Sequence, residues 1–224
     1  MKRLLIAAIL CLNLSVATAQ SNLHFGLKAA PSLAWLKTDS KDFESNGSKF
    51  GFSYGLITDF NFADNYAFST GLDITYRGGK LKSATSIDTG GTTTTTTVSS
   101  TFNLQFIEIP ITLKLKTNEI GYLTYFLQFG VAPGVNIRAR GDSDVRIQTG
   151  SVTNSSSTEG EDIKKEINNV NLSMIIGGGV EYTLSGSTVM LAGIQFNNGF
   201  LDVFDASALK SNSNYIALTV GVLF

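Results

Sequence analysis

From Leu23 to Phe224 the chain alternates, and that single feature limits it most. Bulky apolar residues fall at every second position in eight runs, at about 23–36, 50–62, 66–77, 102–116, 122–138, 169–184, 188–198 and 214–224. A period of two is the mark of a strand with two unlike faces, and no later segment sustains the 3.6-residue period of a helix. The second run shows the pattern plainly. Phe50, Phe52, Tyr54, Leu56, Phe60 and Phe62 stand against Gly51, Ser53, Gly55, Asp59 and Asn61. Across the runs the bulky face carries no charge, while the other face is mostly Gly, Ser, Thr and Asn with a few ionisable groups.

The two faces decide the solvent. In a small soluble barrel the bulky residues would point inward and Lys and Glu would cover the outside. Eight strands enclose only a narrow lumen, which so many aromatic and branched side chains would overfill. Turned outward, the same residues form a lipid-facing band, and the small polar set fills the interior. Composition agrees. Hydrophobic residues make up 43% of the chain and charged residues 16%, against roughly 25% charged in soluble domains. Beyond the N-terminus no apolar stretch reaches the ~18 residues of a spanning helix. The predicted fold is therefore all-β, an eight-stranded antiparallel up-and-down transmembrane β-barrel, whose closure satisfies every backbone polar group.

The connections run long and short in turn. Long ones cover about 37–49, 78–101, 139–168 and 199–213, and short ones Ala63-Asp64-Asn65, about 117–121, and Ser185-Gly186-Ser187. Tight periplasmic turns and longer external loops give this rhythm in outer-membrane barrels, with both termini on the periplasmic side. Aromatic residues gather where interface girdles belong: Trp35, Phe50, Phe52 and Tyr76 at the loop end, and Phe25, Phe60, Phe62, Tyr66 and Phe224 at the turn end. Phe102, Leu104 and Phe106 sit one residue out of phase with Ile107, Ile109 and Ile111, so a bulge near Phe106 or Ile107 is expected to bring them into line.

The N-terminus reads as an export signal. Lys2 and Arg3 precede an apolar run from Leu4 to Leu14, and Ala17-Thr18-Ala19 supplies a small-x-small cleavage pattern. Residues 1–19 are thus expected to be a signal peptide and 20–224 the outer-membrane barrel domain. Cys11 follows Leu10 rather than a small residue, so it is read as part of the signal and not as a lipidated cysteine. Removing Lys2 and Arg3 takes Lys+Arg from 17 to 15 against 18 acids, a mature net charge of -3 with no cysteine and no disulfide. No basic run offers a footprint for nucleic acid.

The last run sets Ile216, Leu218, Val220, Val222 and Phe224 on its apolar face. A terminal aromatic on an amphipathic strand is similar to the signal read by the β-barrel assembly machinery, which with periplasmic chaperones would be the partner during biogenesis.

Three segments carry a family resemblance. His24-Phe25-Gly26-Leu27-Lys28-Ala29-Ala30 resembles the opening strand of the PorT-like outer-membrane β-barrel family of Bacteroidetes. Asn103 to Lys114, with its hydrophobic-Glu-Ile-Pro centre at Ile107-Glu108-Ile109-Pro110, resembles the family's most recognisable stretch. Phe129-Gly130-Val131-Ala132-Pro133-Gly134 is similar to the segment that follows, although family members more often place Gly and Pro side by side. The resemblance implies a small outer-membrane barrel across the mature chain and little about activity. The founding member's tie to type IX secretion and gliding does not transfer on fold alone.

Catalytic patterns are missing from the sequence. The one histidine, His24, begins the first strand at the periplasmic mouth, where an interfacial polar role is expected. There is no Gly-x-Ser-x-Gly elbow, no His-Glu-x-x-His and no cysteine pair, and no cofactor or metal is expected. Asp73 and Glu108 both point inward by parity at one level of neighbouring strands, and would repel unless a base intervenes. Lys28, Arg77 and Lys114 are the inward bases. The expected interior network is Lys28, Asp59, Asp73, Glu108, Lys114 and Glu181, plugging the barrel rather than moving ions. The Thr92–Thr97 run either extends two strands beyond the membrane or forms a polar tip, and 161–167 forms either a helical turn or a strand extension. The function read from sequence is a non-enzymatic outer-membrane protein whose loops meet the outside. A narrow pore or lateral path for small or apolar solutes, and an accessory of secretion or gliding, are the alternatives.

Overall fold

Alternation alone specifies two-faced strands; closure has to come from pairing between the first and the last. The computed structural model describes residues 22–205 and 209–224, so the expected signal lies outside the described residues. The strands are β1 (Leu23–Thr38), β2 (Glu44–Ser45), β3 (Lys49–Ala63), β4 (Tyr66–Thr89), β5 (Thr92–Glu108), β6 (Ile111–Lys116), β7 (Leu123–Thr149), β8 (Val152–Asp162), β9 (Val170–Ser185), β10 (Thr188–Gly199) and β11 (Ser211–Leu223). A 3-10 turn occupies Lys164–Glu166.

All neighbouring pairs are antiparallel. β1 pairs with β3 on one side and with β11 on the other, with Leu27 opposite Val222 and Leu33 opposite Ile216. The circuit β1-β3-β4-β5/β6-β7-β9-β10-β11 therefore returns to its start. β5 and β6 together are one wall strand, interrupted at Ile109–Pro110, because Pro110 has no N–H to give to the ladder. The Ile109 N–H still donates to the Pro133 carbonyl at 2.9 Å. The ring thus has eight wall strands.

The bulky face lies outside. Phe50, Phe52, Phe60, Phe62, Tyr66 and Tyr76 are exposed, as are Ile216, Leu218, Val220 and Phe224; Val222 is half-buried. Trp35 is half-buried and stacks on Phe196 with ring centroids 6.3 Å apart. From Phe50 to Phe62, ~3.3 Å per residue at a ~40° tilt gives a band roughly 30 Å tall. Short turns join strands at one end, the turn end, and long excursions leave the other, the loop end.

Four strands continue past that band. β4 and β5 pair up to Thr89–Thr92 around a Gly90-Gly91 turn with φ of +62° and +83°. β5 also pairs with β7 as far as Thr94–Thr149, and β7 with β8 from Arg140–Asp162 to Thr149–Val152. The result is a protruding sheet in the order β2-β4-β5-β7-β8. The threonine run is strand, with Ser86–Thr95 and Thr94–Thr149 hydroxyl pairs at 3.0 and 3.1 Å. Strands three, four and five are each longer than their alternation showed, because polar Thr and Ser pair well through the backbone without an apolar face. The 161–167 segment combines both expected forms: Glu161 and Asp162 finish β8, and the 3-10 turn follows.

One expectation is corrected. Phe102, Leu104 and Phe106 do not join the outer face. Leu104 and Phe106 are buried inside and keep the inward parity of Glu108. The ladder does shift at Phe106, but the extra residue belongs to β7: Phe106 opposes Asn136 and Gln105 opposes Arg138, leaving Ile137 as the bulge. These residues serve an inner apolar plug at the loop end, with Leu36, Leu81, Ala139, Ile163, Ile167, Val203 and Phe204. Phe102 packs on it edge-to-face with Phe204 at 4.9 Å. A smaller apolar layer of Ile57, Phe126, Leu191 and Leu223 lies toward the turn end. Polar and charged groups fill the space between.

Candidate functional site

Inward parity brings the charged residues of five wall strands into a narrow lumen, where they form two clusters. The lower cluster centres on Lys114 of β6. Its ammonium, fully buried, donates to Asp59 of β3 and, at 3.0 Å, to Glu181 of β9. β4 lies between β6 and β3, and β7 between β6 and β9, so one cation ties together strands two places away on each side. Ser69 donates to the second oxygen of Asp59 at 2.5 Å, and Lys116 pairs with the second oxygen of Glu181 at 3.0 Å. The Phe126 ring lies 4.8 Å from the Lys114 ammonium, a favourable cation–π placement when desolvated. Both carboxylates are paired through both oxygens, as buried charges require.

The upper cluster follows one row around the ring: Gly221, Lys28, Gly55, Asp73, Glu108, Gly134 and Asn171 are successive register partners. Lys28 reaches Asp73 at 2.7 Å past Gly55. A Cβ at Gly55 would stand 2.4 Å from the Asp73 Oδ1, so glycine is what opens that path. Arg77 pairs with Glu108 at 3.1 Å, both buried, and its guanidinium stacks on Phe106 at 4.1 Å. A line of hydrogen bonds crosses the lumen to the same carboxylate. Gln128 donates to Gln195 at 3.3 Å, Gln195 to Asn197 at 2.6 Å, Asn197 to the Tyr215 hydroxyl at 2.6 Å, and Tyr215 to Glu108 at 3.4 Å. Thr75 completes Glu108 at 2.8 Å. This cluster is less fully satisfied. The Arg77 nitrogens, Glu108 Oε1 and Asp73 Oδ1 are buried without a hydrogen bond of good geometry.

All six residues expected in the interior lie there, divided between the two clusters. The expected network leaves out Arg77, Lys116, Thr75, Tyr215 and Asn197, although all five share the inward parity. Arg77 and Lys116 had the right parity, but their partners depend on ring curvature and rotamers that no local pattern encodes. With them the lumen holds four cations, Lys28, Arg77, Lys114 and Lys116, against four anions, Asp59, Asp73, Glu108 and Glu181. Between the clusters is a cavity of about 20 Å³ bounded by Lys28, Ser69, Thr112, Gln128 and Gln195. That is room for about one water molecule. The turn-end mouth is wider, about 580 Å³, with Lys116 and Glu181 at its wall. His24 lies there, its Nδ1 3.1 Å from the Asn61 amide.

The family model described as "Outer membrane protein beta-barrel domain" matches residues 18–148, more than half of the chain. No curated protein matches. Among solved structures the chain is similar to neisserial surface protein A, at 16% identity and TM-score 0.47, covering 89% of this chain and 95% of that one. It is also similar to OprG from Pseudomonas aeruginosa, at 9% identity and TM-score 0.44, covering 91% and 96%. Ail, the attachment invasion locus protein of Yersinia pestis, matches at 12% identity and TM-score 0.35, covering 91% and 99%.

Proposed function

The chain belongs to the outer membrane protein β-barrel domain family, and from that premise we propose that it is a non-enzymatic surface protein whose sealed barrel anchors a protruding interaction sheet. Its place is the outer membrane. The turn end faces the periplasm and the loop end the outside, after export through a signal cleaved near Ala19. The terminal strand from Ile216 to Phe224 is the segment read by the assembly machinery. The PorT-like character rests on the segments His24 to Ala30 and Asn103 to Lys114.

The observation that carries this reading is the sheet itself. Beyond the apolar band the sheet runs β2-β4-β5-β7-β8, and its last strand, β8, is exposed at every residue and, among the described residues, pairs on one side only, with β7. An unprotected edge of this length is a template for another chain unless something manages it. By contrast, the lumen puts its chemistry into internal pairs, and its charge sums to zero. A variant that lacks the tips of the two hairpins, 84–97 and 146–157, tests the reading. It is expected to reach the outer membrane and keep heat-modifiable migration while losing cell-surface adhesion or aggregation. A tip-deleted strain with wild-type surface behaviour would contradict it, and a secretion or gliding defect in that strain would favour the accessory role instead.

A further inference from the structure

The outer wall changes character abruptly along three neighbouring strands. Register partners across β4, β5 and β7 form rows on the outside of the barrel. Ile74, Ile107 and Val135 make one row, Tyr76, Gln105 and Arg138 the next, Gly78, Asn103 and Arg140 the one after, and Lys80, Thr101 and Asp142 the fourth. The first row is wholly apolar. Each of the following three carries a cation, so the positive charge begins one step above the lipid-facing band.

The Ile137 bulge causes this placement. Asn136 is buried and points inward, so regular alternation would send Arg138 and Arg140 into the lumen as well. The extra residue reverses the phase. Ile137 and Arg138 are both exposed, Ala139 is buried in the inner plug, and Arg140 is exposed. Re-aiming side chains is a recurrent use of a bulge. A third cation joins from β3. Lys49 donates to the side-chain amide oxygen of Asn103 on β5. The partner of Asn103 on the intervening β4 is Gly78, which has no side chain to obstruct the crossing.

These groups border an open pocket of about 350 Å³ lined by Lys49, Arg138 and Arg140 together with Phe50, Tyr76 and Gln105. The nearby acids are otherwise engaged. Asp142 accepts from Gly160 N–H at 2.7 Å through one oxygen and from the Asn103 amide at 3.2 Å through the other. Asp162, the register partner of Arg140, accepts the Lys164 N–H at 2.9 Å. Among the described residues neither Arg138 nor Arg140 forms an ion pair. The patch therefore counts Lys49, Lys80, Arg138 and Arg140 against Asp142 and Asp162.

We infer that this patch binds the phosphate of an anionic lipid headgroup in the outer leaflet, with the acyl chains lying along Phe50, Ile74, Ile107, Val135 and Ile137. Guanidinium groups bind phosphate oxygens in pairs, and the ammonium adds a point charge. An aromatic pair beside the cations suits the membrane boundary, where amphipathic rings settle. A soluble anion would need no apolar wall beneath it; a lipid does.

The test uses the full chain refolded into uncharged detergent micelles, with bound lipid counted by native mass spectrometry. Bis-phosphorylated lipid A is the probe, and chemically dephosphorylated lipid A and inorganic phosphate are the other two arms. The wild type is expected to retain the phosphorylated lipid about tenfold more tightly than the dephosphorylated one. Arg138→Gln with Arg140→Gln removes the difference, and Arg138→Lys with Arg140→Lys keeps most of it. Lys37→Gln, on β1 away from the patch, leaves it unchanged. If the double Gln variant does not fold, Lys49→Gln is expected to lower retention about threefold. Equal retention of both lipids by the wild type, undiminished retention by a folded Gln variant, or displacement of the lipid by equimolar inorganic phosphate would overturn the proposal.

Discussion

Leu56 on β3 and Ile87 on β4 are bare to almost the same degree, 53% and 62% exposed, yet they face different solvents. Leu56 is the centre of the run from Phe50 to Phe62, with apolar side chains on its own face in both directions. Ile87 stands in the protruding sheet, opposite Thr94 and close to Asp88 and Thr93. The backbone is the same in both places: antiparallel ladders, several of them on one continuous strand. The side chains alone distinguish wall from protrusion. Below Tyr76, β4 alternates aromatic or aliphatic with small or charged; beyond Leu81 both of its faces are mostly polar, with Ile87 among Ser, Thr and Asp. One strand therefore crosses from lipid into water without a break in pairing, and only the pattern of residues marks where.

The largest effects are expected where charge is buried in the ring. Lys114→Met leaves Asp59 and Glu181 facing each other without their cation, and breaking a buried pair in this way costs about 3–5 kcal/mol. The urea midpoint, followed by heat-modifiable migration, should fall sharply, and an unchanged midpoint would remove the lower cluster from any structural role. Leu56→Arg places a cation in the middle of the lipid face at a cost of about 2–4 kcal/mol. Ile87→Arg, at similar exposure, should shift the midpoint by no more than about 0.5 kcal/mol. Equal effects would mean that the two positions share one solvent.

Glu108→Gln should cost less than Lys114→Met, about 1–3 kcal/mol, since its pairing with Arg77 is already imperfect and the amide can still accept from Thr75 and Tyr215. A larger loss than at Lys114 would reverse the ranking of the two clusters. The smallest effect on the barrel should come from Thr96→Pro. Thr96 pairs with Thr85 on one side and Ile147 on the other, so proline removes a ladder bond from the interior of the protruding sheet. Limited proteolysis should then cleave the hairpin tips, while the ring keeps its midpoint.

The wall was readable in the sequence because lipid imposes a strict rule, one uncharged face per strand. The inner plug was not. Leu36, Leu81, Leu104 and Phe106 are apolar like the lipid-facing set, and only parity separates them; the shift at Ile137 is invisible until β5 and β7 are paired. Ile163, Ile167, Val203 and Phe204 come from connections, where no period exists to follow. All eight charged interior residues have inward parity, yet their pairing and their partition into two clusters depend on which strands curve toward each other. The protruding sheet showed only as long loops, because threonine and serine leave no apolar trace even where they pair for ten residues or more.

The central claim is that the ring is sealed by its own paired charges and works through its outside. Current recordings of the purified protein in planar bilayers test that most directly. No steady conductance steps above the bare-membrane baseline are expected, with openings emerging once Lys114 is replaced by alanine and the lower cluster is released. Steady, cation- or anion-selective openings of the wild-type protein would contradict it.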